Sequence, residues 1–563
     1  MVDLSQLWSY DIRAYSAIGA VITALIILAA PFANMASAVS LVTEVNVAES
    51  GGAAGTAGVV SSTASQANGD FDGDGFDDLA IGVPFENVGT VADSGAVNVL
   101  YGGAAGISSA GDQFWTQNSA GIENSADPGD VFGWTVAAGD FDSDGFDDLA
   151  IGIPGEDVGG ELVAGAVAVI YGTSSGLSSA GDQFWTQGNA EIEGDEDAFD
   201  NFGRSLAVGD FDGDGFDDLA IGVPFETVGT VEDGGAVNVL YGGNSGLSGN
   251  GDQLWTQDSA GVNDAAEDSD FFGTALTAGD FDNDGKDDLA IGVPMEDIGT
   301  TTPAEDCGAV NVLYGTSAGL SSTGDQFWHQ GTTGIEDEEE SNDHYGQSLA
   351  SGDFDNDGRD DLAVGIPDEE TGAATDAGAV NIIYGAGASG LGSVGNQLWS
   401  QDSSGILDAG ETSDFFGFSV AAGDFNGNGF DDLAIGALEK VGTKGLAGAV
   451  NVLYGSGAGI TASGDQFWNQ DSTGVEDTAE VSDQFGYSVA TGDFNNDGKA
   501  DLAVGIPFED IGAGPINNAG ATQVFYGSAP SGITANGDQF WHQNSSGVED
   551  SAEANDNFGW STG

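Results

Sequence analysis

Along most of the chain, short apolar runs alternate with glycine-rich and acidic stretches, and the alternation recurs at a nearly constant interval. Aligned on the string GDF, Asp70, Asp140, Asp210, Asp280, Asp353, Asp424 and Asp493 fall at equivalent positions, spaced by 70, 70, 70, 73, 71 and 69 residues. So steady a period over seven copies marks a repeat architecture and outweighs local propensity. Each unit reads FGxSVAxGDFDxDGxDDLAIGxPxE, an acidic stretch, GAVNVLYG, GLSxxGDQFWxQ and a second acidic stretch. Four strand candidates recur per unit, in the second unit residues 135–141, 149–153, 166–171 and 183–186. The middle two are apolar on both alternating faces, as Val97, Val99 and Tyr101 set against Ala96 and Leu100 show, so both faces must be covered.

Four-stranded units of this size, packed face to face around an axis, make a β-propeller, in which each sheet is sandwiched between two neighbours. The seven units predict an all-β fold, a seven-bladed β-propeller of four-stranded antiparallel blades over residues 61–563. An open β-solenoid is the structural alternative, but its turns run far shorter than ~70 residues. The first unit has Ser62 and Thr63 where the second has Phe132 and Gly133, and the chain ends on Phe558-Gly559-Trp560-Ser561-Thr562-Gly563, which matches the start of a unit. These last residues are expected to complete the first blade; a fragment of a longer array is the other reading.

Residues 17–30 form an apolar run short of the ~20 residues a membrane span needs. Pro31 breaks it, and Ala36-Ser37-Ala38 supplies the small-residue pattern a signal peptidase reads. The expected organisation is a signal peptide at 1–38, a linker at 39–60 and the repeat domain at 61–563, hence a secreted or cell-surface protein with no stable membrane span after cleavage. Arg13 is offset by Asp3 and Asp11, so an uncleaved anchor is the alternative.

Between the first two strands of each unit lies a nine-residue loop, in the first unit DFDGDGFDD, with carboxylates at positions 1, 3, 5 and 9 and glycine at 6. Oxygen-only ligands at this spacing suit a hard cation that takes roughly six to eight oxygens in flexible geometry, calcium better than magnesium or a transition metal. The carbonyl of position 7 would be the fifth protein ligand. The predicted ligands are Asp70, Asp72, Asp74, Phe76 and Asp78; Asp140, Asp142, Asp144, Phe146 and Asp148; Asp210, Asp212, Asp214, Phe216 and Asp218; and Asp280, Asp282, Asp284, Lys286 and Asp288. They continue with Asp353, Asp355, Asp357, Arg359 and Asp361; Asp424, Asn426, Asn428, Phe430 and Asp432; and Asp493, Asn495, Asp497, Lys499 and Asp501. Up to seven calcium sites are expected, the sixth weakest, because its two Asn keep an oxygen but lose charge. An EF-hand is rejected: its position 12 needs a bidentate Glu, and Ile81, Ile151, Ile221, Ile291, Val364, Ile435 and Val504 stand there, inside a strand pattern.

The string FGWTVAAGDFDSDGFDDLAIGIP at 132–154, followed by GAVAVIYG at 165–172, resembles the FG-GAP repeat, which builds the seven-bladed propeller of integrin alpha subunits and recurs in bacterial and archaeal surface proteins. The resemblance covers about residues 60–563 and implies calcium ligation by the matching Asp positions. It also implies a ligand-recognition surface on the face opposite the loops, on acidic connections such as 86–94 and 118–130. All seven units carry the loop motif where integrins use only some, and the leg domains, membrane span and tail of an integrin are not found, so integrin-style signalling is not implied.

Composition narrows the partners. The 563 residues hold 93 Asp and Glu against 7 Lys and Arg, a formal charge of -86, which excludes nucleic acid as a partner. Cys307 is the only cysteine and cannot form an internal disulfide. Seven divalent ions offset only a small part of the charge, and runs such as 336–340 predict a high-salt, marine or halophilic setting. Two functions remain: a calcium-dependent adhesion or binding module for an extracellular protein or glycan, or a carbohydrate-active enzyme (polysaccharide lyase or glycosidase) or its accessory propeller. No residue is assigned a catalytic role, because His329 and His542 fill a slot that holds Thr in other units and nearly every polar group is repeated. The tryptophans of the GDQFW and GDQLW strings, such as Trp115 and Trp255, fit blade packing better than sugar stacking. A single non-repeated cluster of His, Tyr, Lys or Arg on one face would discriminate, with Arg204, Arg359 and Lys440 the candidates by rarity.

Overall fold

The computed structural model describes residues 69–299, 304–512 and 514–563; the expected signal peptide and linker lie outside the described residues. The fold is all-β, with seven antiparallel sheets in chain order, six of four strands and the first of three plus a C-terminal segment. In blade two the inner strand is Val136–Gly139, followed by Asp148–Ile153, Ala166–Tyr171 and the outer strand Ser178–Trp185. The inner strands of successive blades neighbour one another, so the sheets stand radially around an axis.

The two middle strands of blade two are buried over their whole length, as their two-sided apolar pattern requires. The core is divided into one cluster per junction: Phe354 and Val380 of blade five pack with Leu433 and Leu453 of blade six. Recurring glycines allow this contact. A Cβ on Gly82 would lie 2.1 Å from the carbonyl oxygen of Gly133 in the next blade, so the two backbones touch where any side chain would part them.

Two strand limits differ from expectation by more than one residue. The inner strand ends at Gly139 because Phe141 N turns back to bond Gly139 O at 3.2 Å and opens the loop. The outer strand begins five residues earlier than expected, at Ser178, which pairs with Tyr171 beyond a register shift. Its first half, SSAG, lies on the solvated edge of the blade, so it carries no apolar alternation to read.

Ser561, Thr562 and Gly563 complete the first blade. Ala80 N bonds Gly563 O at 2.8 Å, Gly82 N bonds Ser561 O at 2.9 Å, and Thr562 stands opposite Ile81 as Val136 stands opposite Ile151. Ser561 Oγ donates to Gly133 O at 3.1 Å, the same seam bond that Thr135 makes to Gly203, and Ser205 to Gly273.

Candidate metal centres

In blades two to seven the loop leaves the inner strand and returns along the second, and loop one leads into the second strand of its blade in the same way, so all seven stand at one end of the blades. In the first, backbone NH groups fold the carboxylates inward. Asp70 Oδ1 accepts from Asp74 N at 3.0 Å and its Oδ2 from Gly75 N at 2.8 Å, while Asp72 and Asp74 accept from the NH two residues on, at 3.1 Å each. Gly75 takes φ +87°, a left-handed conformation that favours glycine and aims its NH at position 1. Position 7 closes the turn through its own NH, Phe76 on Asp74 Oδ1 in loop one and Arg359 on Asp357 Oδ1 in loop five.

Position 9 is the buried member. Asp78 is 3% exposed and accepts from Phe71 N at 2.9 Å and Gly102 N at 2.8 Å, which ties the loop to the third strand. Oxygens of Asp70, Asp72 and Asp78 lie within 4.8 Å of one another, as do those of Asp140, Asp142 and Asp148 and those of Asp210, Asp212 and Asp218. Burial first, and then the charge of Asp72, pushes Asp78 up to about 8; burial and then Asp74 raise Asp72. Three converging carboxylates with no cationic side chain among them fit a hard cation, which would supply the missing counter-charge.

The loops fall into classes. In loops four, five and seven the position-7 side chain folds back on position 5: Lys286 on Asp284 and Lys499 on Asp497 at 2.8 Å, Arg359 on Asp357 at 3.0 Å. In loops six and seven the position-3 amide serves as a donor, Asn426 Nδ2 reaching both oxygens of Asp432 at 3.1 and 2.9 Å and Asn495 Nδ2 reaching Asp501 Oδ2 at 2.9 Å. Those amides partly satisfy the buried position-9 carboxylate without an ion.

Position 8 carries a role that sequence reasoning passed over. Asp147 Oδ2 accepts from Asp70 N of the preceding blade at 2.9 Å, and Asp217, Asp287, Asp360 and Asp431 repeat the bond to Asp140, Asp210, Asp280 and Asp353. Asp77 closes the circle on Asp493 N at 2.6 Å; Ala500 is the exception. Four of them, Asp217, Asp287, Asp360 and Asp431, line a cavity of about 420 Å³ beside the inner-strand glycines. Burial pushes Asp147 up to about 7 and Asp287 to about 6. The signal was visible as the first Asp of each DDL string.

A profile of the FG-GAP repeat matches residues 64–100, 132–170, 202–240, 272–312, 345–382, 416–452 and 485–525. The chain belongs to the FG-GAP repeat proteins. Among curated relatives, this FG-GAP chain is 34% identical over 164 residues to phosphatidylinositol-glycan-specific phospholipase D of Rattus norvegicus, covering 29% of this chain and 18% of that protein. It is 30% identical over 305 residues to integrin alpha pat-2 of Caenorhabditis briggsae, covering 51% and 22%. The matched stretches thus span about a fifth of those relatives. Among solved structures, an exotype rhamnogalacturonan lyase, YesX, overlaps 77% of this chain and 58% of that one at 14% identity and a TM-score of 0.33, too loose to bear on activity.

The opposite end of the FG-GAP ring holds a cluster that does not repeat. The residue after each FG pair is Trp134, Arg204, Thr274, Gln347, Phe418, Tyr487 or Trp560. The Arg204 guanidinium stacks 4.4 Å over Trp134, Trp134 lies 4.9 Å from Trp560, Trp560 4.9 Å from Tyr487, and Tyr487 5.2 Å from Phe418. Phe85 and Phe508 meet Trp560 edge on. His344 Nδ1 lies 2.6 Å from Asp368 Oδ2 on the same face. The tryptophans of the outer strands, by contrast, pack into the junction cores, as Trp185 and Trp328 do.

Proposed function

We propose that this chain is a secreted, calcium-binding propeller acting as an extracellular adhesion or scaffold module, its partner a protein or glycan. The observation that carries the reading is the aromatic patch around Arg204, opposite the loops. Trp134, Phe418, Phe85 and Phe508, half-buried around one stacked guanidinium and backed by the buried Trp560 and Tyr487, offer contact area at low entropic cost. Its titratable hydroxyl, Tyr487, is 1% exposed and held above its ordinary pKa by burial, which does not suit proton abstraction. Calcium in the loops would stiffen the other end, where the protein otherwise holds like charges together. The surface is built for a salty medium: residues 336–340 are all acidic and mostly exposed, and salt screens such a run.

A second reading, a carbohydrate-active enzyme, is favoured by the pair His344 and Asp368 beside a cavity of about 370 Å³ lined by Asp343, Glu370 and Asp376. The test is a glycan and matrix-protein array probed with the full chain, with and without chelator. Calcium-dependent capture that is lost in Arg204→Ala and Trp134→Ala supports the binding reading. Release of oligosaccharides from a polysaccharide, abolished by His344→Gln, overturns it in favour of the enzyme.

A further inference from the structure

Two or three residues beyond each second strand stands a buried glutamate, and two residues beyond each outer strand a buried glutamine reaches across to the glutamate of the next blade. Gln257 Nε2 donates to Glu296, and Gln543 Nε2 donates to Glu86 at 2.7 Å; the same pair recurs at every junction. The connection between them adds two more acids. At one junction these are Glu267 and Asp270, at another Glu553 and Asp556, and in both the ligand oxygens of all three carboxylates lie within 4.8 Å of one another.

Buried oxygens there lack partners. Glu296 is 0% exposed, and its Oε1 has no hydrogen-bond partner among the described residues. Asp556, also 0% exposed, is in the same state at Oδ1, and so is Oε1 of Gln257 and Gln543. Acceptors shut away from water without a donor are costly unless a cation meets them. No cationic side chain pairs with either trio among the described residues. At a third junction the chain supplies its own: Lys440, next to Glu439, sets Nζ 2.6 Å from Glu411 Oε2.

We propose that the blade junctions form a second set of hard-cation sites, at the opposite end of the propeller from the nine-residue loops, best formed at Glu296-Glu267-Asp270 and Glu86-Glu553-Asp556. Three carboxylates and a neutral amide oxygen, gathered from separate segments, suit a calcium-sized ion that tolerates irregular oxygen geometry better than they suit magnesium. The outermost ligand of each trio, Glu267 or Glu553, is exposed and gives the ion a way in. The site is independent of the binding role proposed above, so a silent array would leave it standing.

The test is equilibrium dialysis of the chelator-stripped full chain against radioactive calcium. Glu267→Gln with Asp270→Asn should lose one bound ion per chain, Asp280→Asn with Asp282→Asn a different one, and the combination both. A junction variant that melts cooperatively and binds as many ions as the parent overturns the proposal. Should that variant fail to fold, Glu553→Gln alone changes only an exposed side chain. In calcium-soaked crystals of the parent an anomalous peak should stand between Glu86 and Asp556 and vanish in that variant; a parent without the peak overturns the proposal as well.

Discussion

The loops and the blade junctions both gather carboxylates, by opposite routes. A loop gathers its carboxylates from nine consecutive residues, and its own backbone NH groups orient them, so Asp70, Asp72 and Asp74 stay partly open to solvent while Asp78, of the four at positions 1, 3, 5 and 9, is buried. A junction takes Gln543, Glu553, Asp556 and Glu86 from different blades and hides three of the four. The loop is thus a local device that tolerates substitution, as Asn426 and Lys286 show. The junction is part of the core, where every acid is a structural liability until it is neutralised.

Calcium removal should have the largest effect and tests both regions at once. Each ion held at about a hundred times its Kd adds about 2.7 kcal/mol, so stripping five or more should lower Tm by about 10 °C or more. A Tm indifferent to chelator and salt would abolish the comparison. In chelator the folded state binds more protons than the unfolded one, because burial holds Asp78 up to about 8 and Glu509 up to about 9. Metal-free stability should therefore be greatest below about pH 4 and fall as pH rises toward about 8 to 9, while calcium, which binds the ionised form, should cancel that fall. Calorimetry across pH with and without calcium reads the difference.

Next in size is Gln257→Met, which strands a fully buried carboxylate and should cost about 2 kcal/mol in denaturant unfolding under chelator. Asp74→Asn in an exposed loop should cost no more than about 0.5 kcal/mol under the same conditions, and equal costs would erase the contrast. Smaller is Asn426→Asp, which replaces an amide donor to Asp432 with a charged ligand and should raise calcium affinity at the sixth loop about tenfold by titration. Smallest is Lys499→Met, which frees Asp497 from an exposed ion pair and should tighten the seventh loop about two- to fivefold.

Much of this was legible in the chain. The GDF spacing led to the blade count, the two-sided apolar strands led to the stacked sheets, and the surplus Phe558-Gly559 pointed to the completion of blade one. The loop carboxylates could be read because their spacing is itself the geometry. The outer strands were read too short because small residues at a solvated edge leave no apolar period. Arg204 stood out by rarity, but its stacking on Trp134 could not, since the two residues are a full repeat apart and meet only at the axis.

The sequence by itself determined the repeat, its count and the gathering of carboxylates in each loop, because a contiguous motif carries its own distances. Only the tertiary structure decided the rest: the Asp carboxylates at position 8 linking neighbouring blades, the aromatic patch, and the junctions where Gln543 meets Glu86 across 457 residues. Such contacts are set by closing the ring, which brings together residues that no spacing along the chain relates.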